Sequence, residues 1–302
     1  MRKQDLHSYF PHDRKKGKIS HRFSQSQCEL LAMENQPVLP LHTHDFDELV
    51  FILGGSGVHL ADDDEYLVIR GDVFVLRGNH KHGYANTSNL HLVNVLYQRD
   101  YFESLKKEFS DLPGFQALFV HEPLYRKKHK FKSKLHLNSQ QLGKLSRLLN
   151  LMNVEQQDEW AGTGALQERI FELIIINVCK FYSEVSSSQP KALLRISAAI
   201  DFMERNFDKP ISNALLSNKA EMPLRSFRHS FKKITGLAPI DYLIRLRIEK
   251  AAEMMAENNR TRVTDAAFNS GFDNSAYFTR KFKEIIGMTP MAYLKKQRSM
   301  VS

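Results

Sequence analysis

No run of 18 apolar residues occurs anywhere in this 302-residue chain, and its most apolar stretch, residues 170–178, is far too short to cross a bilayer. The opening Met1-Arg2-Lys3-Gln4-Asp5 lacks the apolar centre of a signal peptide. Cysteine is scarce as well. Cys28 and Cys179 lie far apart and neither has a CxxC neighbour, so buried free thiols in a reducing compartment are expected. These absences set the expectation of a soluble cytoplasmic protein with no membrane partner. A further absence is net charge in the first 190 residues, where 23 basic and 23 acidic side chains cancel. The whole formal excess of +9 therefore falls in residues 191–302, which hold 20 Lys+Arg against 11 Asp+Glu. The length and a hydrophobic content of 42% suggest two domains, each with its own core.

The basic third of the chain writes one stretch twice. Phe227, Phe231, Gly236, Pro239, Tyr242 and Leu243 return as Phe278, Phe282, Gly287, Pro290, Tyr293 and Leu294 at a constant offset of 51, which Lys232/Lys283 and Ile234/Ile285 also keep. A repeat at fixed spacing means one supersecondary unit built twice. In each copy the phenylalanines, four apart, stack on one helical face; the glycine suits a left-handed helix exit, and proline follows. Upstream of the second copy, Val263, Ala266 and Ala267 mark a short helix and Gly271-Phe272-Asp273-Asn274 a tight turn. Short helix, turn, second helix is the helix-turn-helix layout, whose second helix enters a DNA major groove. Opposite the phenylalanines stand the candidate DNA-binding residues: Arg225, Ser226, Arg228, His229 and Lys232, then Ser275, Ala276, Tyr277, Thr279, Arg280 and Lys283. Any surface helix is polar outside and aromatic inside. The segregated charge tips the balance toward phosphate binding.

The run from Asp273 to Lys283, with Gly287-Met288-Thr289-Pro290 and Tyr293 after it and Gly271-Phe272 and Arg247 before it, resembles the signature of AraC/XylS-type transcriptional regulators. The resemblance covers roughly residues 195–298. It implies two helix-turn-helix units joined by one long helix, here from about Pro239 to Glu257. Such a helix, roughly 18 residues at about 1.5 Å each, suits two recognition helices in successive major-groove segments about 34 Å apart. The first unit departs from the pattern: Ser217, Glu221 and Pro223 stand where the family usually has Ala, Gly and Ser, with Pro223 expected at the first helical position. The second unit is expected to dock well and the first to be weaker or to favour phosphates. Arg225 and Arg280 are the candidates for reading guanine edges, and Lys232 and Lys283 for holding phosphates.

Residues 1–20 are expected to be a flexible basic arm. From His21 to about Tyr97 the pattern is of short strands, among them residues 48–53, 58–60, 66–69, 73–76 and 90–96, separated by Gly, Asp and Asn turns, as in a sandwich or small barrel. Within it, His42-Thr43-His44 precedes Glu48, and Gly71-Asp72 precedes Arg77, Gly78 and His82. This resembles the paired motifs of cupins, except that Arg77 replaces the usual proline. The resemblance implies that His42, His44, Glu48 and His82 converge in the barrel mouth, and imidazoles with a carboxylate can bind a divalent metal. The same cluster without metal can hydrogen-bond the hydroxyls of a sugar, or satisfy buried backbone groups. Regulatory cupins of the AraC/XylS family resemble sugar pockets, and the finer pattern around His42–Val50 and Arg70–Phe74 is most similar to the L-rhamnose regulators. Phe46, Phe74 and Tyr84 are candidate effector walls, or ordinary core.

The nine residues 126–134 carry six Lys or Arg and read as a solvent-exposed loop. Leu142, Leu145, Leu149 and Met152, then Leu166, Ile170, Leu173, Ile174 and Val178, form two helical stripes. They cover the barrel or pair two subunits. The expected architecture is α+β: an arm (1–20), a cupin-like effector-binding barrel (21–135), a helical dimerisation or packing region (136–182), a polar linker (183–194) and an all-α domain with two helix-turn-helix units (195–302). The expected function is a non-enzymatic, sequence-specific transcriptional regulator, an activator that binds promoter half-sites as a homodimer, contacts RNA polymerase and answers to a small sugar effector such as L-rhamnose. The alternative is a metal-dependent cupin enzyme, an isomerase or dioxygenase, with a basic helical domain.

Overall fold

The computed structural model describes residues 18–112, 114–129, 134–185, 188–257 and 261–301, and divides into two compact units, Met1–Leu194 and Arg195–Ser302. Most of the expected arm, and residues 130–133 of the basic run, lie outside the described residues.

The N-terminal unit is built on two long strands. Its strands are β1 (Lys18–Ile19), β2 (Cys28–Met33), β3 (Leu39–His44), β4 (Asp47–Ala61), β5 (Asp64–Ile69), β6 (Asp72–Leu76), β7 (His82–Tyr97) and β8 (Leu135–His136). The first half of β4 pairs with β6 and with the end of β7, where β2 joins; its second half pairs with β5 and the start of β7, where β3 and β1 join. Thus Gly54-Gly55 is no turn between two short strands. The register shifts between Ile52 and Val58 and Gly55 has φ +66°, so one strand bends through β-bulges and serves both faces. Lys18 and Ile19 likewise belong to a strand, paired parallel with Thr43 and His44, not to a loose arm.

Residues 47–52 are buried throughout, and from Leu49 to Ile52 they read as an unbroken apolar run after the buried carboxyls of Asp47 and Glu48. Alternation sends Val50 and Ile52 into the barrel core with Leu31, Phe74, Leu92 and Leu96, and Glu48 with them into the cavity described below. Asp47, Leu49 and Phe51 face the other way. Helices α1 (Arg99–Phe109), a π-helical segment (Gln116–His121), α2 (Glu122–His129), α3 (Ser139–Glu155) and α4 (Thr163–Ser183) follow in the same unit. The start of the basic run is helical. Arg126 is buried in α2, its guanidinium 2.5 Å from both Glu122 and the Val75 carbonyl, because an unpaired charge there would be costly. On α3 the stripe Leu142, Leu145, Leu149 and Met152 is buried; on α4, Leu173 is exposed and Phe171 and Ile175 take its place inside. Helix α5 (Ser188–Arg205) occupies much of the span expected to be linker.

In the C-terminal unit α6 (Asn213–Lys219), α7 (Leu224–Thr235), α8 (Pro239–Glu257), α9 (Val263–Asn269), α10 (Ser275–Ile286) and α11 (Pro290–Val301) follow α5. The repeat is a repeat of packing. Phe227–Phe231 and Phe278–Phe282 ring centroids are both 5.5 Å apart, and Tyr242 and Tyr293 meet Phe231 and Phe282 at 5.5 and 5.6 Å. Gly236 (φ +83°) and Gly287 (φ +85°) close α7 and α10 in the left-handed conformation. Gly271 (φ +86°) makes the turn between α9 and α10, and an added Cβ there would lie 2.7 Å from the Phe207 carbonyl, beside Arg247. Arg247 itself donates to the Phe207 and Lys209 carbonyls. In the first unit Glu221 takes the same left-handed turn at φ +49°, so the turn forms without glycine, at a steric cost. Pro223 stands one residue before α7, at the cap, where it supplies no side-chain bond; Asn274 caps α10 by accepting from Tyr277 N.

Candidate functional site: effector cup and nucleic-acid interface

The barrel encloses a cavity of ≈ 20 Å³ lined by His42, His44, Phe46, Glu48, His82, Tyr84 and other residues. The strands bring His44, Glu48 and His82 together, with one potential ligand atom of each within 4.8 Å of the others. Glu48 Oε2 lies 3.7 Å from His44 Nε2 and 3.9 Å from His82 Nε2. His44 Nδ1 donates to the Phe46 carbonyl (2.5 Å) and His82 Nδ1 to the His80 carbonyl (3.2 Å), which in neutral rings leaves Nε2 as a bare acceptor aimed at the cavity. His42 does not join the converging three. Its Nδ1 donates to the Pro40 carbonyl and its ring packs 4.4 Å from that of His82.

Burial decides the charge state of this cup. It pushes the Glu48 carboxyl up to about 8 against the pull of the Asn94 hydrogen bond, holds His44 down at about 4, and holds His82 well below the usual histidine value, with His44 and His42 adding repulsion. Tyr84 Oη and Asn94 Oδ1 are buried there without hydrogen-bond partners. Phe46 stacks on His44 at 4.1 Å and 8°, while Phe74 does not line the cavity and packs in the barrel core, 5.2 Å from His59.

His59 and Asn94 escaped the sequence reading. His59, fully buried, lies 6.2 Å from the His82 ring and 5.4 Å from that of Tyr84. Inward positions on β4 are even-numbered at Glu48–Ile52 and odd at His59, because the bulges between them flip the alternation. Asn94 had a signal, as the lone polar residue in Leu92-Val93-Asn94-Val95-Leu96.

In the C-terminal unit the phenylalanines of α7 and α10 are 0% exposed. Arg225, Ser226, Arg228, His229 and Lys232 on α7 are exposed, as are Ser275, Ala276, Thr279, Arg280 and Lys283 on α10, with Tyr277 partly so. The Arg280 guanidinium lies over the Tyr277 ring at 5.3 Å, which limits its freedom before any contact. Arg225, Arg228, His229, Lys232 and Lys233 line one open groove.

A polar cup on one unit and a basic helix-turn-helix pair on the other define a ligand-responsive DNA-binding regulator. Residues 25–174 match the family described as AraC-like ligand binding domain, and residues 216–296 match a helix-turn-helix domain. The chain belongs to the AraC family of transcriptional regulators. It is 28% identical to the HTH-type transcriptional activator RhaR of Pectobacterium carotovorum over 86% of this chain and 88% of that protein. It is 26% identical to the HTH-type transcriptional activator RhaS of Escherichia coli O1:K1 over 84% and 87%. Among solved structures, the DNA-binding domain of the global transcriptional factor AdpA, crystallised with a target DNA, aligns at 23% identity with a TM-score of 0.34, covering 35% of this chain and 95% of that one. Membership in a family of regulators sets the cupin-enzyme alternative aside. Among the described residues no helix is long and apolar enough to cross a membrane.

Proposed function

We propose that this protein is a sequence-specific transcription activator of the cytoplasm whose hold on DNA is set by a small polyhydroxylated effector, a sugar of the L-rhamnose type, received in the barrel cup. The DNA half rests above all on the two phenylalanine-backed helices, which expose Arg225 and Arg280 on the sides away from their phenylalanines. These arginines read guanine O6 and N7, and Lys232 and Lys283 hold phosphates. The sugar reading is supported by the RhaR and RhaS relatives and by the uncharged donors and acceptors of the cup. At ≈ 20 Å³ the cavity is far below the roughly 300 Å³ or more of a small-molecule site, so an effector enters by moving the wall outward. Occupancy thereby becomes a conformational signal. Two subunits pair through the outer faces of α3 and α4, where Leu151, Leu173 and Ile176 are exposed, and the bound dimer contacts RNA polymerase. A thermal-shift screen of monosaccharides tests the sensor: ligand at 100 times its dissociation constant raises stability by about 2.7 kcal/mol. No shift from any pentose, hexose or deoxy sugar would remove the sugar effector from this reading.

The cavity size favours a second reading of the same cup, since that volume suits one water or one cation. His44, Glu48 and His82 would hold a divalent metal through two Nε2 atoms and a carboxylate, and their backbone-bonded Nδ1 atoms fit that role. Elemental analysis after dialysis against metal decides it. One equivalent retained by the protein and lost in His44→Ala supports the metal, and none retained rejects it.

A further inference from the structure

Arg77, the residue that departs from the cupin-like pattern, lies outside the cup yet is joined to its wall. Its Nη1 donates to Asp47 Oδ2 (2.5 Å), its Nη2 donates to the Phe119 carbonyl (2.7 Å), and its guanidinium carbon lies 4.2 Å from the centre of the Phe102 ring. One side chain thus ties β4 to the π-helical segment and to α1. The other oxygen of Asp47 accepts from Gly78 N (3.0 Å) and lies 3.8 Å from Arg99 Nε on α1. Gly78 in turn accepts from His44 N through its carbonyl (2.8 Å). There is no slack at Gly78: an added Cβ would stand 2.0 Å from the Phe46 carbonyl and 2.4 Å from that of His44.

The chain of contact runs from the cup residue His44, through Gly78, to Asp47 and Arg77, and ends on Phe119 and Phe102. Asp47 is also the neighbour of Glu48, and alternation on β4 places the two carboxyls on opposite faces of the sheet. Arginine suits this junction because its planar fork bonds two acceptors while its face covers an aromatic ring; lysine's single ammonium is a point charge with no planar face and cannot hold all three contacts in this geometry. The π-helical segment at the far end is a rare backbone form that concentrates at functional positions.

We propose that Arg77 is the coupling residue of the N-terminal unit: it transmits displacement of the His44 wall of the cup to the π-helical segment and α1, and so sets how strongly the effector changes DNA affinity. This rests on the cup being the effector site. Because the cavity holds no more than a water-sized body, anything larger displaces its wall, and Gly78 leaves that displacement no empty space to fill.

The test uses the full chain in two arms. In the first, L-rhamnose binding by calorimetry and operator affinity with and without L-rhamnose are measured for the wild type and Arg77→Lys. The expected result is sugar binding and sugar-free operator affinity within about threefold of wild type, with the sugar-induced change in operator affinity reduced about fivefold or more. An unchanged sugar response in a variant that still binds both ligands would overturn the proposal. The second arm needs no effector. His82→Phe overfills the cup, and hydrogen exchange of residues 116–121 should rise several-fold in the wild-type background and stay flat with Arg77→Lys. Equal responses in the two backgrounds overturn the link. A wild type that ignores L-rhamnose while the second arm shows coupling overturns the effector assignment and leaves the link standing. Phe102→Leu, which keeps the ion pair and loses only the ring under the guanidinium, serves as a milder version of both arms should Arg77→Lys fold poorly.

Discussion

In the N-terminal unit the polar groups that matter are inside: His44, Glu48, His59 and His82 are each at most 5% exposed behind the strands. In the C-terminal unit they are outside: Arg225, Arg280, Lys232 and Lys283 stand in solvent on helices whose phenylalanines are 0% exposed. Buried polar groups depend on how completely they are partnered, so the first unit is governed by desolvation and hydrogen bonding, which salt screens little. Exposed charges act over distance and are screened by salt, so the second answers to ionic strength. Twelve of the 13 histidines belong to the first unit and one, His229, to the second. A change of pH and a change of salt should therefore address different halves of the protein.

The largest expected effect concerns acid. Burial, with help from Lys106, holds His121 down at about 3, whereas an unfolded histidine titrates near 6.5. Between those values the unfolded chain takes up a proton that the folded unit refuses, so stability falls as pH drops, by about 1.4 kcal/mol per pH unit for this residue. Thermal melts from pH 7 to 4 should show the N-terminal unit failing in acid, and His121→Leu should flatten the slope by about one proton. An unaltered slope would mean that His121 is protonated in the folded state.

Next in size is Arg280→Ala, which should cost about 1–3 kcal/mol at the operator and relax specificity at one base pair. Equal losses on operator and random DNA would make Arg280 a phosphate contact instead. Lys283→Ala should weaken both DNAs alike and lower the salt slope by about one. A change in base preference would break that distinction. The smallest effect is in stability. Glu221→Gly, relieving a left-handed glutamate, should raise the C-terminal unit by about 1 kcal/mol in denaturant melts. No gain would show that Glu221 recovers its strain through contacts of its own.

The two units also differ in how much of them was legible beforehand. The tandem repeat placed Phe227, Phe231, Phe278 and Phe282 in the core and their opposite faces in solvent, because a helix orients every residue by spacing alone. The cup was legible only in part. His44, Glu48 and His82 converge, but Phe74 falls into the core, His42 stays outside the converging set, and His59 is turned inward behind His82 and Tyr84 by bulges that reverse the alternation. A bulge is one inserted residue in a ladder, and Gly54-Gly55, which mark it, read equally well as a turn between two short strands. The basic run beginning at Arg126 misled for a different reason, since a charge count says nothing of whether Glu122 waits one turn away.

By itself the sequence determined that there are two units of opposite character, that one is a helical grip built twice, and that a His/Glu set lies upstream. Periodicity, repeat and net charge are local or additive, so they survive being read along a line. Only the tertiary structure decided which of those residues meet, that the cup closes to the size of a water, and that Arg77 reaches across to Phe119. Such contacts join residues about 30 to 40 positions apart, and their existence depends on strand register and bulges that no single residue encodes.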